Sequence, residues 1–285
     1  MVKIATYNVN SVKARLPNLL EWLKESAPDI VCLQELKCVE EAFPRMEIED
    51  MGYNLAIYGQ KTYNGVAILS KYKIDESIKG LPTLEGDEQA RYIECVISVP
   101  HNHPLRGTPL NSSPPAGEVR RGGALQNEVL RICSVYVPNG GEPNGEKWQY
   151  KMKFFDSLRE HIRELLTYNE KLIIAGDYNV APENIDVFDP ISLRGTTCFH
   201  PDEQEKWRSI VNLGLTDAWR ACHPQTQSFS WWDYRSGGWQ GNKGMRIDHL
   251  LLSPQAADIV KDAGIDENTR GREKASDHAP VWCSI

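Results

Sequence analysis

The sequence predicts an α/β (α+β) protein whose sheets are mixed rather than wholly parallel. Three observations carry this. Short apolar runs of strand length are interleaved with segments whose apolar residues recur every three or four positions. Neighbouring runs, such as 53–58 and 65–69, stand close enough to pair as hairpins, which a purely parallel sheet does not contain. A long amphipathic stretch, 146–166, places Trp148, Phe155, Leu158, Ile162 and Leu165 on one face and reads as a packed helix.

The elements follow in order. Residues 2–7 form a strand, Leu16, Leu19, Leu20 and Leu23 recur at helical spacing, and 30–33 is a second strand. Strands are expected at 53–58, 65–69, 92–99 and 130–137, then the helix 146–166 and a strand at 172–175. A helix at 203–213 and strands at 229–232, 246–252 and 279–285 complete the chain. The one compositional break is 100–128, with five prolines, four glycines and no hydrophobic period. It falls between two strands, so it reads as a loop insertion in a single domain spanning 1–285. With little to bury, this loop is expected to be mobile and dispensable, and it should leave the sheet at the end away from Arg91 and Tyr136.

Composition narrows the function. The chain has 285 residues, 41% hydrophobic and 25% charged, with 32 Lys and Arg against 39 Asp and Glu for a formal charge of −7. That balance excludes a uniformly basic nucleic-acid coat but not a local positive rim. Apolar runs last about four residues, far short of the roughly 20 of a membrane helix, and the first residues do not read as a secretory leader. A cytoplasmic protein, without membrane attachment, is expected. Seven cysteines, odd in number and without zinc-knuckle spacing, read as reduced structural thiols.

Chemistry gathers where apolar strands end. Asn8 and Asn10 follow the first strand, and Glu35 ends the second. Asp177 and Asn179 follow 172–175, Asp248 lies in 246–252, and Asp277–His278 precedes the last strand. A carboxylate at the end of a hydrophobic strand is costly unless solvated, paired or metal-bound. Each cluster alone is an ordinary turn or cap, but together they supply oxygen donors and one imidazole. Such a set suits Mg²⁺ or Mn²⁺, whereas zinc would want more His or Cys. His101 and His103 fall in the insertion and read as solvated. No Gly-x-Ser-x-Gly elbow, phosphate-cradling Gly-Lys loop or dinucleotide glycine pattern is present, which leaves metal-assisted hydrolysis by water.

The ordered set Asn8-x-Asn10, Leu33-Gln34-Glu35, Tyr136-Val137-Pro138-Asn139-Gly140, Gly176-Asp177-x-Asn179, Trp231-Trp232-Asp233-Tyr234-Arg235, Arg246-Ile247-Asp248 and Ser276-Asp277-His278 resembles the exonuclease III family. That family lies within the endonuclease/exonuclease/phosphatase superfamily, and the match spans all but 100–128. The resemblance implies a four-layer α/β sandwich, with two mixed β-sheets packed face to face and helices on both outer faces. It implies a monomer acting on double-stranded DNA, abasic or 3′-blocked, with Mg²⁺ or Mn²⁺. Abasic-site endonuclease, 3′-to-5′ exonuclease and 3′-phosphatase activities would be expected. Glu35 would be the main metal ligand, with Asn8, Asn10 and Asp277 beside it. Asp177 would activate water with Asn179, His278 held by Asp248 would bond the phosphate, and Tyr136 likewise. Asn139, Arg91, Trp231, Met245 and Ile247 would contact substrate, the last three lining a pocket for a flipped baseless sugar. Where the family often has Leu, this chain has Met245.

Basic residues flank these motifs, among them Lys13, Arg15, Arg235, Lys243, Arg270, Arg272 and Lys274, and together they are expected to form a positive rim for DNA phosphates. Two alternatives differ in kind. A phosphomonoesterase acting on lipid or inositol phosphates shares the Asp177 and Asp277–His278 motifs. A catalytically dead DNA-binding module would have lost Glu35, Asp177 or His278, and none is replaced.

Overall fold

The computed structural model describes residues 1–100, 128–235 and 237–285, so the expected loop at 100–128 lies, apart from its two end residues, outside the described residues. The strands are β1 (Lys3–Asn8), β2 (Ile30–Gln34), β3 (Asn54–Tyr58), β4 (Val66–Ser70), β5 (Ile74–Lys79), β6 (Tyr92–Val99) and β7 (Glu128–Tyr136). They continue as β8 (Lys171–Asp177), β9 (Thr216–Asp217), β10 (Trp231–Trp232), β11 (Gly244–Met245), β12 (Asp248–Leu252), β13 (Asp262–Ile265) and β14 (Val281–Ser284). One six-stranded sheet runs β13-β14-β1-β2-β4-β3 and the other β5-β6-β7-β8-β12-β9, with β10 and β11 as a separate ribbon. Each large sheet holds one parallel pair, β1 with β2 and β7 with β8, and the remaining pairings are antiparallel.

The sheets meet face to face. Ile4, Ile30, Cys32 and Ile68 of the first pack with Ile93, Ile132, Ile173 and Leu250 of the second. The alternate residues Ala5, Val31 and Leu33 face outward onto the helix Leu16–Ser26, through Leu19, Trp22 and Leu23. The outer face of the second sheet, with Val135, Leu172 and Ile174, takes the helices Glu146–Leu165 and Pro201–Val211. The four-layer sandwich is therefore the observed architecture. Because central strands are buried on both faces, their sequences read as unbroken apolar runs rather than alternating ones.

The differences from the sequence reading have physical causes. β5 is an edge strand with an exposed, polar sequence, Ile74-Asp75-Glu76-Ser77-Ile78-Lys79, and so lacked an apolar signal. β9 and β13 are too short to show a period. The helix expected from Glu203 begins at Pro201, because His200 caps it and Glu203 reaches back to the His200 amide. Phe229 lies outside β10, packed against Trp232. Arg246 precedes β12, and its buried guanidinium bonds Asp186 at 2.7 Å and Asp217 at 2.8 Å rather than Asp248. The seven cysteines are unpaired, and six are buried. Among the described residues no helix is long and apolar enough to cross a membrane.

The Arg246 ion pairs give a stability prediction. Burial alone would raise the Asp217 carboxyl, but Arg246, followed by His249, holds it well below the usual range. A carboxylate depressed in the folded state contributes stability that is complete above the unfolded pKa of about 4 and is lost as pH falls toward the folded value. Arg246→Leu should therefore cost about 3–5 kcal/mol at neutral pH, by taking the arginine from buried Asp217, while Asp186 keeps Arg220. Urea unfolding should show that penalty shrinking as the pH is lowered below about 4. A penalty unchanged by acid would mean that another group carries it.

Candidate active site

Both parallel pairs deliver their C-terminal ends to the same rim. Asn8 ends β1 beside Gln34, and Glu35 follows β2. In the second sheet Tyr136 ends β7 opposite Asp177, which ends β8. The antiparallel strand β12 begins with Asp248 directly across from Asp177. Asp177 reaches this place through Gly176, where a Cβ would lie 1.9 Å from the Val135 carbonyl oxygen, so the two strands close only around glycine. Beyond the strand ends the backbone turns left-handed at Asn10, Glu35, Lys37 and Asn179, the unfavourable region in which functional residues are often held.

The side chains converge tightly. Asn8 Nδ2 donates to Glu35 Oε1 at 2.9 Å and to Asp177 Oδ2 at 3.0 Å, so one amide spans a carboxylate of each sheet. Asn8 Oδ1 is used by the Asn10 amide. In this arrangement the Asn8 amide nitrogen braces the two carboxylates. The Tyr136 hydroxyl donates to Glu35 Oε1 at 2.9 Å, and Lys37 pairs with Glu35 Oε2 at 2.8 Å. Asn10 Nδ2 donates to Asp277 Oδ1 at 2.9 Å, and Asn10 Oδ1 accepts from Lys37. Asp177 accepts from the Asn179 backbone at 2.8 Å and from its side-chain amide at 3.2 Å. His278 Nδ1 lies 2.9 Å from Asp248 Oδ2, which also accepts from Ser230 at 2.6 Å, and His278 Nε2 faces Asp177 at 3.8 Å.

Electrostatics sort these groups. Burial chiefly pushes the Asp177 carboxyl upward, and the like charge of Asp248 adds to it against the pull of His278. Burial works against a charged His278, yet Asp248 and then Asp177 outweigh it and raise the imidazole. Burial and the nearby Glu35 charge keep the Tyr136 phenol protonated. Burial would raise Glu35, but Lys37 and Asn8 hold it lower. Ligand atoms of Glu35, Asp177 and His278 lie within 4.8 Å of one another. A charged imidazole offers no lone pair, so the donors left for a cation are oxygens, those of Glu35 foremost, with Asp277 and Asn10 adjoining. That set fits Mg²⁺ or Mn²⁺.

A cavity of about 430 Å³ opens beside this cluster. Its polar wall is Glu35, Asp177, Asn179, Asp277 and His278, and its other wall includes Trp231, Met245, Ile247 and Cys198. Met245 and Ile247 are buried among Val187, Phe199 and Ala181, with Trp231 packed against them. Asn139 joins the wall and donates to Asn179 Oδ1 at 3.0 Å. Arg91 does not line the cavity. Its guanidinium lies 4.7 Å from the Tyr136 ring centre and donates to the Tyr136 carbonyl, so it supports that tyrosine from behind. His249 faces the opposite side of β12 from Asp248, outside the cavity, where it bonds Arg246 and the Val180 carbonyl. The positive rim is only partial, since Arg272 is paired with Glu21 and Glu25 and Arg235 with Asp233.

The sequence pattern of the endonuclease/exonuclease/phosphatase family matches residues 5–278. The chain belongs to this family. It is 31% identical to exodeoxyribonuclease III of Haemophilus influenzae, over the whole of both chains. Among solved structures, it resembles the 3′ phosphatase NExo from Neisseria bound to product DNA hairpin, with a TM-score of 0.87 and 35% identity over 100% of this chain and 99% of the other. An AP endonuclease from Archaeoglobus fulgidus gives a TM-score of 0.85 and 33% identity over the same shares.

Within this family fold, the present chain carries supports that sequence reasoning missed. Ser230 beneath Asp248 left no readable signal. Lys37, two residues beyond Glu35, was not singled out. Lys151 left a clear one: it occupies the inner face between Trp148 and Phe155 at helical spacing, where an apolar residue belongs. It is fully buried, donates to the carbonyls of Asn139 at 3.1 Å and Asn179 at 2.8 Å, and pairs with Glu203. Gly140, at φ +93, leaves room for it, since a Cβ there would meet Lys151 Cδ at 2.8 Å. Lys151 thus ties together the two loops that carry Asn139 and Asn179. Glu203→Gln, which keeps the shape and loosens that tie, should lower kcat by up to about 10²-fold if the asparagines shift by an ångström, with a smaller effect on KM. Steady-state kinetics alongside thermal unfolding check this, and equal losses in kcat and folded fraction would reduce the pair to a packing role.

Proposed function

We propose that this protein is a divalent-cation-dependent DNA-repair nuclease that hydrolyses phosphodiesters of duplex DNA as a monomeric, cytoplasmic, single-domain enzyme. The observation that carries the reading is the pair of adjoining dyads, Asp177 with Asn179 and His278 with Asp248, set together on the polar wall of a cavity beside Glu35. The full-length relatives are nucleases and a DNA 3′ phosphatase, which favours this over a phosphomonoesterase of lipids or inositols.

The chemistry follows from the side chains. Asp177, raised toward neutrality and steadied by Asn8 and Asn179, is suited to orient a water and take its proton. His278, charged and fixed through Nδ1 by Asp248, presents Nε2–H to a non-bridging phosphate oxygen on which charge builds during in-line attack. Tyr136, protonated, steadies Glu35. A divalent ion held by Glu35, with Asp277 and Asn10 beside it, would supply neutralisation of charge on the phosphate and the departing 3′ oxygen. Trp231, Met245 and Ile247 offer an apolar wall to a baseless sugar, whose extrusion costs less than flipping a paired base. We therefore assign abasic and 3′-blocked duplexes as the preferred substrates.

Incubation with a labelled duplex carrying one abasic analogue tests the reading. Cleavage should require Mg²⁺ or Mn²⁺ and stop in chelator, whereas full activity in excess chelator would refute the metal requirement. Asp177→Asn should abolish turnover with DNA binding nearly intact, because the shape stays while the base is lost; wild-type turnover would remove Asp177 from that role. Trp231→Ala should reduce the preference for abasic over intact duplex more than it reduces 3′-phosphate removal. Equal losses on both substrates would make Trp231 merely a packed residue.

A further inference from the structure

The oxygens that could hold a divalent ion are not equally available. Glu35 Oε1 accepts from Asn8 and from the Tyr136 hydroxyl, each at 2.9 Å. Asp277 Oδ1 accepts from Asn10 at 2.9 Å, and Asp277 Oδ2 from Trp231 at 3.1 Å. Asp177 Oδ1 is taken by the Asn179 backbone, and its Oδ2 by the amides of Asn8 and Asn179. Glu35 Oε2 and Asn10 Oδ1 remain, and among the described residues each has the same single partner. The Lys37 ammonium lies 2.8 Å from the first and 2.5 Å from the second.

The backbone is shaped to bring these groups together. Glu35 and Lys37 both stand at φ +54 and Asn10 at φ +45, a region that residues other than glycine seldom adopt. On one side, the Ser11 and Val12 amides donate to the carbonyls of Glu35 and Leu36. On the other, the Leu36 and Lys37 amides donate to the carbonyls of Gly65 and Asn64. Leu36, between the two charged residues, is buried in the core. The main chain is therefore fixed, while the Lys37 side chain is 30% exposed on a flexible stem and can leave for water.

Two cations cannot share this pair of oxygens. An ion bound at Glu35 Oε2 would meet the ammonium at close range in a partly buried space, where like charges repel strongly. An incoming ion therefore has to take both oxygens from Lys37, and the strength of that pairing is subtracted from its own binding. We propose that Lys37 is a tethered cation that holds the two available oxygens of the metal site, yields them when the divalent ion binds, and so sets the affinity for that ion. The inference rests on the metal requirement of the proposed nuclease. Until the exchange, Lys37 keeps Glu35 and Asn10 aligned, so the donors need little rearrangement when the ion arrives.

Two measurements on the whole protein test this, and neither is turnover. Mn²⁺ binding without DNA is followed through the paramagnetic resonance of the free ion. Lys37→Met should bind Mn²⁺ about tenfold more tightly than wild type, the factor for one charge-assisted hydrogen bond no longer surrendered. Lys37→Arg, which keeps a cation able to pair with Glu35, should stay within about threefold of wild type. The second measurement is the nitrogen–proton resonance of the Lys37 ammonium, visible only where hydrogen bonds slow its exchange with water. It should be present in wild type in chelator, absent from Lys37→Arg, and lost in saturating Mg²⁺, while buried Lys151 keeps its signal. That measurement on wild type carries the test if Lys37→Met does not fold. Equal or weaker Mn²⁺ binding by folded Lys37→Met would overturn the exchange while leaving the metal requirement intact. So would a Lys37 signal that is missing in chelator or unchanged by Mg²⁺. Failure of wild type to bind Mn²⁺ would overturn both.

Discussion

The site is organised around a single amide. Asn8 donates one hydrogen bond to Glu35 of the first sheet and another to Asp177 of the second, so the reacting groups of both sheets are set against each other by one side chain. This works because each sheet contains one parallel pair, and both pairs end at the same rim. Just beneath, Thr6 donates to Gln34, Gln34 to Ser134, and Ser134 to the Leu33 carbonyl, a buried polar chain that crosses the otherwise apolar interface. Such a chain fixes the register of one sheet on the other, since a shift by one residue would strand every member unpaired in the interior. The apolar core supplies the driving force for packing the sheets, and these few polar contacts specify their alignment.

Legibility in the sequence tracks burial. Strands covered on both faces, such as β2 and β8, announce themselves as apolar runs, and their polar ends mark the site. Glu35, Asp177 and Asp248 were readable because a carboxylate closing a hydrophobic run demands a partner. The edge strand β5 was invisible because its side chains face water. Two site features were beyond sequence reasoning for another reason. The type of residue at position 8 does not say whether its amide presents nitrogen or oxygen, and only the neighbouring carboxylates decide it. Arg91 is close to Tyr136 in the fold, as its strand pairing implied, yet it stacks behind the ring rather than entering the cavity. Lys151, by contrast, was legible as a charge at an apolar helical position.

The charges of the site explain why strain and burial are tolerated there. Among the described residues, the cations bonded to Glu35, Asp177, Asp248 and Asp277 are Lys37 and a charged His278, while Arg235 on the same cavity wall is paired with Asp233. Two negative charges are left uncompensated in a partly buried space, the charge of one divalent ion. Without such an ion the imbalance is relieved by proton uptake, and Asp177, buried and with a like-charged neighbour in Asp248, is the group whose carboxyl is pushed upward. The same burial that makes Asp177 expensive as a carboxylate makes it a stronger base. Cation affinity and base strength are therefore coupled through the field of these four carboxylates: any change that removes one of them, or brings a second lysine beside Glu35, alters both at once.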